Sequence, residues 1–414
     1  LYKSGIVERV MTLNDANADK SLKKTDGKKQ SSVTGIPKLD DANWAGGPKS
    51  RHCTLILTEG DSAKTMAIAG LTQSGRDRYG VFPLRGKVMN VCDMQAARIA
   101  ANQEITNLKK IIGLESGKEY QDVDSLRYGK IMIMTDQDVD GSHIKGLLFN
   151  LFHQLWPSLL RIDGFLTSML TPIIKARRKG QVMEFYNGAD YDAWKAENNN
   201  GRGWEIKYYK GLGTSTSAEA KEYFRALKTS TYKWTGPQSG DALDLAFNKT
   251  KADGRKQWLL SYDKTNGLDY GKSSVTFEDF VNKDLIHFSN YDIVRSIPSV
   301  CDGLKVSQRK ILFCCFKRNL TKTQIKVAQL AGYVSENSAY HHGEVSLNAA
   351  IVDMAQDYVG ANNVNLLLPL GQFGTRIQGG KDSAASRYIH TLLNPVASLI
   401  FKPEDEPILT YLDD

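Results

Sequence analysis

The sequence has little cysteine: five in 414 residues, at 53, 92, 301, 314 and 315. One pair is adjacent and none has metal-ligand spacing, which predicts reduced, partly buried thiols in an intracellular protein without cysteine chemistry. Long apolar runs are also missing. The most apolar stretch, GLLFNLFHQLWPSLL at 146–160, is too short to span a bilayer and is broken by Asn150, His153 and Gln154. No membrane partner is expected. No signal peptide precedes the chain, and a first residue of Leu rather than Met predicts a piece of a longer protein. No P-loop for nucleotide phosphates is present, and no internal repeat beyond the two strand–helix units described below.

What is there fits a soluble globular protein of two or three domains, with 41% hydrophobic and 24% charged residues. A formal net charge of +8 permits a polyanionic partner without requiring one. Residues 17–51 are Lys-rich and poor in large apolar side chains, the pattern of a solvated linker or arm. From 53 onward, CTLILTEGDSAKTMAIAGL predicts a short strand, a Glu-Gly-Asp-Ser turn and a helix capped by Asp61 or Ser62. YGKIMIMTDQDVDGSHIKGLLFNLFHQLW repeats the scheme. Two such units predict an α/β sheet with mostly parallel strands, whose carboxyl ends gather Glu59 and three aspartates. A helix is expected from about Ser217. The polar, Gly- and Lys-rich stretch 228–275 reads as part of a connector, and helices return after 287. There EVSLNAAIVDMAQDYV aligns Leu347, Ala350, Ile351, Met354, Ala355 and Tyr358 on one apolar face. Short helices followed by Gly-rich PLGQFGTRIQGGKDSA suit a helix-turn-helix or winged-helix module.

The segment TDQDVDG matches the opening of an EF-hand calcium loop, with Asp136, Asp138 and Asp140 followed by Gly141. An EF-hand needs a helix before the loop and a Glu at its twelfth position, which here is Leu147. The preceding KIMIM reads as a strand, so the calcium reading fails twice. Clustered carboxylates stay ionised at neutral pH only around a cation. Mg²⁺ suits them, because it takes one or two carboxylates and keeps other positions for water or phosphate oxygen. A merely solvated acidic turn would leave Glu59, in the matching turn of the other unit, unexplained.

LILTEGDSA, VFPLRGK, TDQDVDGSHIKGLL and YYKGLGTSTSAEAKEYF resemble the Toprim domain of type IIA DNA topoisomerases, and IPKLDDAN upstream is a further signature. DGLKVSQRKILF, YHHGE, GQFGTRIQGGKDSA and SRYI resemble the winged-helix half of that family's breakage–reunion core. Both halves on one chain resemble the eukaryotic branch, since the bacterial enzymes carry them on separate subunits. The resemblance implies an α/β Toprim domain, with a Rossmann-like parallel sheet, followed by a mainly helical winged-helix domain. The expected boundaries are a basic arm at 1–50, Toprim with its extension at 51–227, a connector at 228–286 and the winged helix at 287–414.

The resemblance also implies a chemistry, in which a tyrosine attacks DNA and leaves a reversible 5′-phosphotyrosyl link. By position the nucleophile is Tyr388. Arg387, His342 and Arg309 would assist it at the phosphate, with His341 more structural. Glu59, Asp136 and Asp138 would hold Mg²⁺, with Asp140 helping a second ion, and Glu59 would also return a proton. Arg85, Lys87, Lys145 and Lys210 would neutralise phosphates of double-stranded DNA. A homodimer is implied, each tyrosine meeting its partner's acidic cluster, together with nuclear localisation. ATP would be used by a domain upstream of these residues, and the tower and coiled-coil gate would follow 414. Val306 stands where the family has Pro, which should alter a turn and not the chemistry. A Toprim-bearing nuclease or primase would share the carboxylates without needing Tyr388, and a DNA-binding scaffold would need neither.

Overall fold

Alternate residues of the two apolar runs face opposite sides of one sheet. In β1 (Thr54–Glu59), Leu55 and Leu57 point into the larger core while Ile56 enters a second one. In β3 (Lys130–Met134), Ile131 and Ile133 join the first core, and Met132 and Met134 the second. A strand buried on both faces has no polar side to show, so its sequence reads as an unbroken apolar run. The structure, a computed structural model, describes residues 20–71, 73–209 and 211–411. The chain divides into two compact units between Asn290 and Tyr291.

The first unit is built on a six-stranded sheet in the order β2-β1-β3-β4-β8-β9, with β2 at Tyr79–Leu84, β4 at Leu166–Met169, β8 at Thr229–Lys233 and β9 at Ser274–Thr276. All neighbouring pairs are parallel except β4 with β8. Thr58 pairs with Met134, so Glu59 and the residues after β3 leave the sheet at one level. Helices Gly60–Gly70 and Ser217–Ala226 pack over the second core. Helices Gln103–Ile112 and Val139–Leu155 contribute to the larger one. Asn102 caps the former by accepting the Ile105 N–H at 3.0 Å, and Gly113 ends it at φ +86°. A satellite sheet, β6-β5-β7, closes over its own small core with β5 at Ile174–Arg178, β6 at Gln181–Phe185 and β7 at Glu205–Tyr208.

Three expectations are corrected here. The helix after β1 begins at Gly60, before Asp61 or Ser62 can cap it, and Asp61 pairs instead with Lys38 at 2.6 Å. The arm is not free: Ile36, Ala42 and Ala45 are buried in the larger core. Asp41 accepts hydrogen bonds from Arg127 and Tyr128, and the Tyr128 hydroxyl accepts from the Ala42 N–H at 2.9 Å. The stretch 228–286 supplies β8, β9 and the helix Pro237–Phe247, which packs on Val139–Leu155. Phe277 and Phe280 meet Phe149 edge-on, their centroids 5.3 and 4.8 Å away, so part of the core lies inside the expected connector.

The second unit gathers helices Val306–Lys317, Val327–Asn337 and Glu344–Ala355 around a separate core. A small antiparallel pair joins β10 (Ile325–Lys326) to β11 (His390–Thr391). β10 lies between the first two of these helices and β11 after the third, so helices and a small antiparallel pair combine as a winged helix would. Glu344–Ala355 is shorter than its pattern suggested, because Gln356 turns extended and sends its side-chain N–H to the Phe373 carbonyl at 2.9 Å. Gly374, at φ +97°, brings its backbone so near Gly380 that a Cβ would lie 2.6 Å from that Cα. No helix among the described residues is long and apolar enough to cross a membrane.

Candidate active site

Glu59 is the last residue of β1, and the chain leaves it through Gly60 at φ +78°, a backbone that other residues rarely adopt. This sharp exit leaves the Glu59 carboxylate at the strand end, where it accepts the Asp136 N–H at 3.2 Å. Asp136 sits in the turn after β3, and its own carboxylate accepts the Leu212 N–H at 2.7 Å. Leu212 belongs to the KGLG loop, far along the chain. A Cβ on Gly211 would lie 2.5 Å from Asp136 Oδ2, so only glycine lets that loop close so tightly. Leu212 and Gly211 were not among the expected site residues, although the Gly-flanked loop was visible.

Asp138 caps the helix Val139–Leu155, accepting the Gly141 N–H at 2.7 Å, and remains exposed. Asp140, in the first turn, pairs with Lys87 at 2.6 Å. Burial, then the neighbouring Asp136 and Asp138, push the Glu59 carboxyl up to about 7, against the Asp136 N–H. Burial likewise raises Asp136, opposed by the Leu212 N–H and reinforced by Asp138. These carboxyls hold one another's protons because like charges crowd together where water is partly excluded. Among the described residues no three His, Cys, Asp or Glu side chains converge as a closed metal cage. A donor set of one or two carboxylates with open positions is what Mg²⁺ takes, and Glu59 with Asp136 fits it.

The basic residues divide. Arg85 is exposed, its backbone N–H donated to Glu104 at 2.7 Å, and Lys87 lies 4.4 Å from the Phe288 ring centre beside Asp140. Lys145 is a correction: it is only 3% exposed, and its ammonium bonds Asp284 at 3.0 Å. Burial alone would pull its proton off, but Asp284 holds it on. It belongs to a helix buried nearly all round and faces the protein interior, so it does not reach a phosphate. Lys210 lies outside the described residues.

In the second unit, Tyr388 directly follows Arg387, whose guanidinium stands 4.8 Å from the phenol ring centre. Ile389 points inward at 2% exposure and Tyr388 outward at 66%, so the hydroxyl is reachable. The segment is pinned: Val327 N–H donates to the Ile389 carbonyl at 3.0 Å, and Ala328 N–H to Ser386 at 3.2 Å. His342 hydrogen-bonds the Tyr291 hydroxyl at 3.1 Å and lines a cleft of about 330 Å³ with Tyr340 and Glu344. Arg309 grips Asp302 through two hydrogen bonds of 2.7 and 2.8 Å, which raise its pKa further and leave a charge fixed in direction.

Comparison with known proteins places these features in a family. Residues 54–163 match the Toprim domain, 169–293 the C-terminal associated domain of Toprim, and 295–414 the A-type subunits of DNA gyrase and topoisomerase IV. The chain is 56% identical over 417 residues to DNA topoisomerase 2 of Arabidopsis thaliana, covering 100% of this chain and 28% of that protein. It is 54% identical over 428 residues to human DNA topoisomerase 2-alpha, covering 99% and 28%. The chain thus spans just over a quarter of the length of these curated relatives. A solved Plasmodium falciparum structure, the topoisomerase II DNA-binding, cleavage and re-ligation domain, superposes with a TM-score of 0.77 at 52% identity. That match covers 93% of this chain and 53% of the other. Three family matches in order along the chain, with relatives more than half identical across it, mean that this chain belongs to the type IIA DNA topoisomerases and corresponds to their cleavage-core region.

Proposed function

We propose that this chain is the cutting and rejoining part of a type II DNA topoisomerase, acting on double-stranded DNA as a homodimer in the nucleus. The observation that carries the proposal is the contact of Glu59 with Asp136 at adjoining strand ends, with both carboxyls raised. Such a site is made to receive a cation bound to phosphate.

In this reading the Tyr388 oxygen forms a bond to a backbone phosphorus, and the bond from that phosphorus to the 3′-oxygen breaks. The phenol proton leaves and the 3′-oxygen gains one, so the step balances and reverses without other reactants. A phenol needs help to lose its proton at neutral pH, and the guanidinium of Arg387, beside the Tyr388 ring, stabilises charge on the attacked phosphate. His342 and Arg309 steady the phosphate, and His342 relays the proton. Glu59 returns a proton to the 3′-oxygen. Glu59, Asp136 and Asp138 would hold Mg²⁺, with Asp140 serving a second ion, and the metal when bound stabilises the departing oxygen. Arg85 and Lys87 contribute charge toward DNA phosphates. Strand passage and ATP use belong to further parts of the full-length protein.

The test is a cleavage assay of the full-length protein with end-labelled duplex and Mg²⁺, stopped with detergent. Protein linked to 5′ ends is expected, lost in Tyr388→Phe. Free cut ends that survive Tyr388→Phe would instead identify a Toprim nuclease.

A further inference from the structure

One carboxylate holds both ends of the loop that reaches the acidic site. Glu219 accepts from the Tyr209 hydroxyl at 2.6 Å, at the loop's start, and from the Thr216 N–H at 2.8 Å, at its end. Lys207 Nζ adds contacts of 2.8 and 3.1 Å. From Gly211 to Ser215 the backbone folds into one tight turn: Thr214 donates its N–H to the Gly211 carbonyl at 3.1 Å and its hydroxyl at 2.7 Å. Ser215 N–H then reaches the Leu212 carbonyl at 3.2 Å. The apex of this turn is the Leu212 N–H that holds Asp136. Glu219 also completes a capping box with Thr216 on the helix Ser217–Ala226, which packs on the helix leaving Glu59. Capping alone needs neither Lys207 nor Tyr209.

We propose that Glu219 is a positioning residue, a clamp that holds the 211–216 turn so that Leu212 orients Asp136 toward a bound divalent cation. The inference rests on the reading of the acidic cluster as a cation site. Partners that orient metal ligands set affinity, and their loss typically costs about 10–100-fold. Tyr209, Glu219 and Gly211 thereby act as one unit on a carboxylate that Leu212 touches directly.

The experiment titrates the full-length protein with Mn²⁺ without DNA, following free Mn²⁺ by electron paramagnetic resonance, and in parallel measures the Mg²⁺ needed for half-maximal DNA adduct. Glu219→Gln is expected to raise both by about 10-fold, while the adduct level at saturating Mg²⁺ recovers. Tyr209→Phe, a gentler change, should shift both the same way by less, and it decides the matter should Glu219→Gln fail to fold. Gly211→Ala, which crowds Asp136 directly, should weaken Mn²⁺ binding, and adding Glu219→Gln to it should cost little more, because the two act through one contact. Unchanged Mn²⁺ binding in folded Glu219→Gln and Tyr209→Phe, or full additivity with Gly211→Ala, overturns the clamp. The two readings separate. A Glu219→Gln shift in Mn²⁺ binding without any DNA adduct in the wild type supports the clamp and rejects the cleavage reading. A normal wild-type adduct with unshifted Mn²⁺ binding does the reverse.

Discussion

At the scale of single residues, the same side-chain type does opposite work according to whether it faces the core or the surface. Lys145 and Lys87 both sit within motifs of the Toprim half, yet one is sealed against Asp284 and the other borders the acidic turn. Removing one partner of a buried ion pair strands the other, so Lys145→Ala should cost about 3–5 kcal/mol in chemical denaturation. Replacing Lys145 and Asp284 together by Met and Leu should recover much of that loss. Exposed Arg85 gives the contrast: Arg85→Ala should leave stability nearly unchanged and reduce the salt slope of DNA binding by about 1. Measuring both variants in both assays separates the roles. Sequence placed Lys145 among phosphate contacts because nothing in HIKGLL distinguishes an inward lysine from an outward one. The distinguishing partner, Asp284, lies in a segment that read as a connector.

At the scale of elements, legibility followed strand length and apolar content. β1 and β3 were readable because both faces are buried, which leaves runs such as LIL and IMIM without polar interruption. β8, with the sequence TSTYK, has only Tyr232 as a large buried apolar residue, and β9 spans three residues. β8 is as long as β3 but carries too few apolar residues to show a period, and β9 is too short for one, so the sheet's far edge was not legible in the sequence. The helix from Ser217 was expected, and its Thr216–Glu219 box explains where it starts. That box carries a pH signature. Burial works against the Glu219 charge, but Lys207, Tyr209 and Thr216 more than offset it and hold the carboxyl down at about 2, below its usual 4.5. A depressed folded pKa gives stability that is present above 4.5 and lost as pH falls through about 2. Acid unfolding followed by circular dichroism should therefore be steeper below pH 4.5 in the wild type than in Glu219→Gln, which has no such proton to take up.

At the scale of the whole molecule, the net charge of +8 would supply the long-range attraction in the proposed binding of DNA. Binding to duplex DNA should fall steeply and linearly with the logarithm of salt, as counterions released by the protein are competed back. Chelating Mg²⁺ should abolish the covalent adduct while leaving most of that binding, because the acidic site and the exposed cations are different residues. A fluorescence-anisotropy titration in chelator, beside the adduct assay, checks both. Loss of binding with chelation would mean that the cation holds DNA and does not serve the chemistry alone.

The acidic site joins Glu59 and Asp136 to Leu212, residues drawn from three distant parts of the chain. During synthesis the first two exist well before the third. Until the loop and Glu219 have emerged and folded back, Asp136 has no Leu212 N–H to fix it. The order of translation thus sets a sequence: the carboxylates of Glu59 and Asp136 come first, and the backbone that fixes Asp136 arrives only with the later loop.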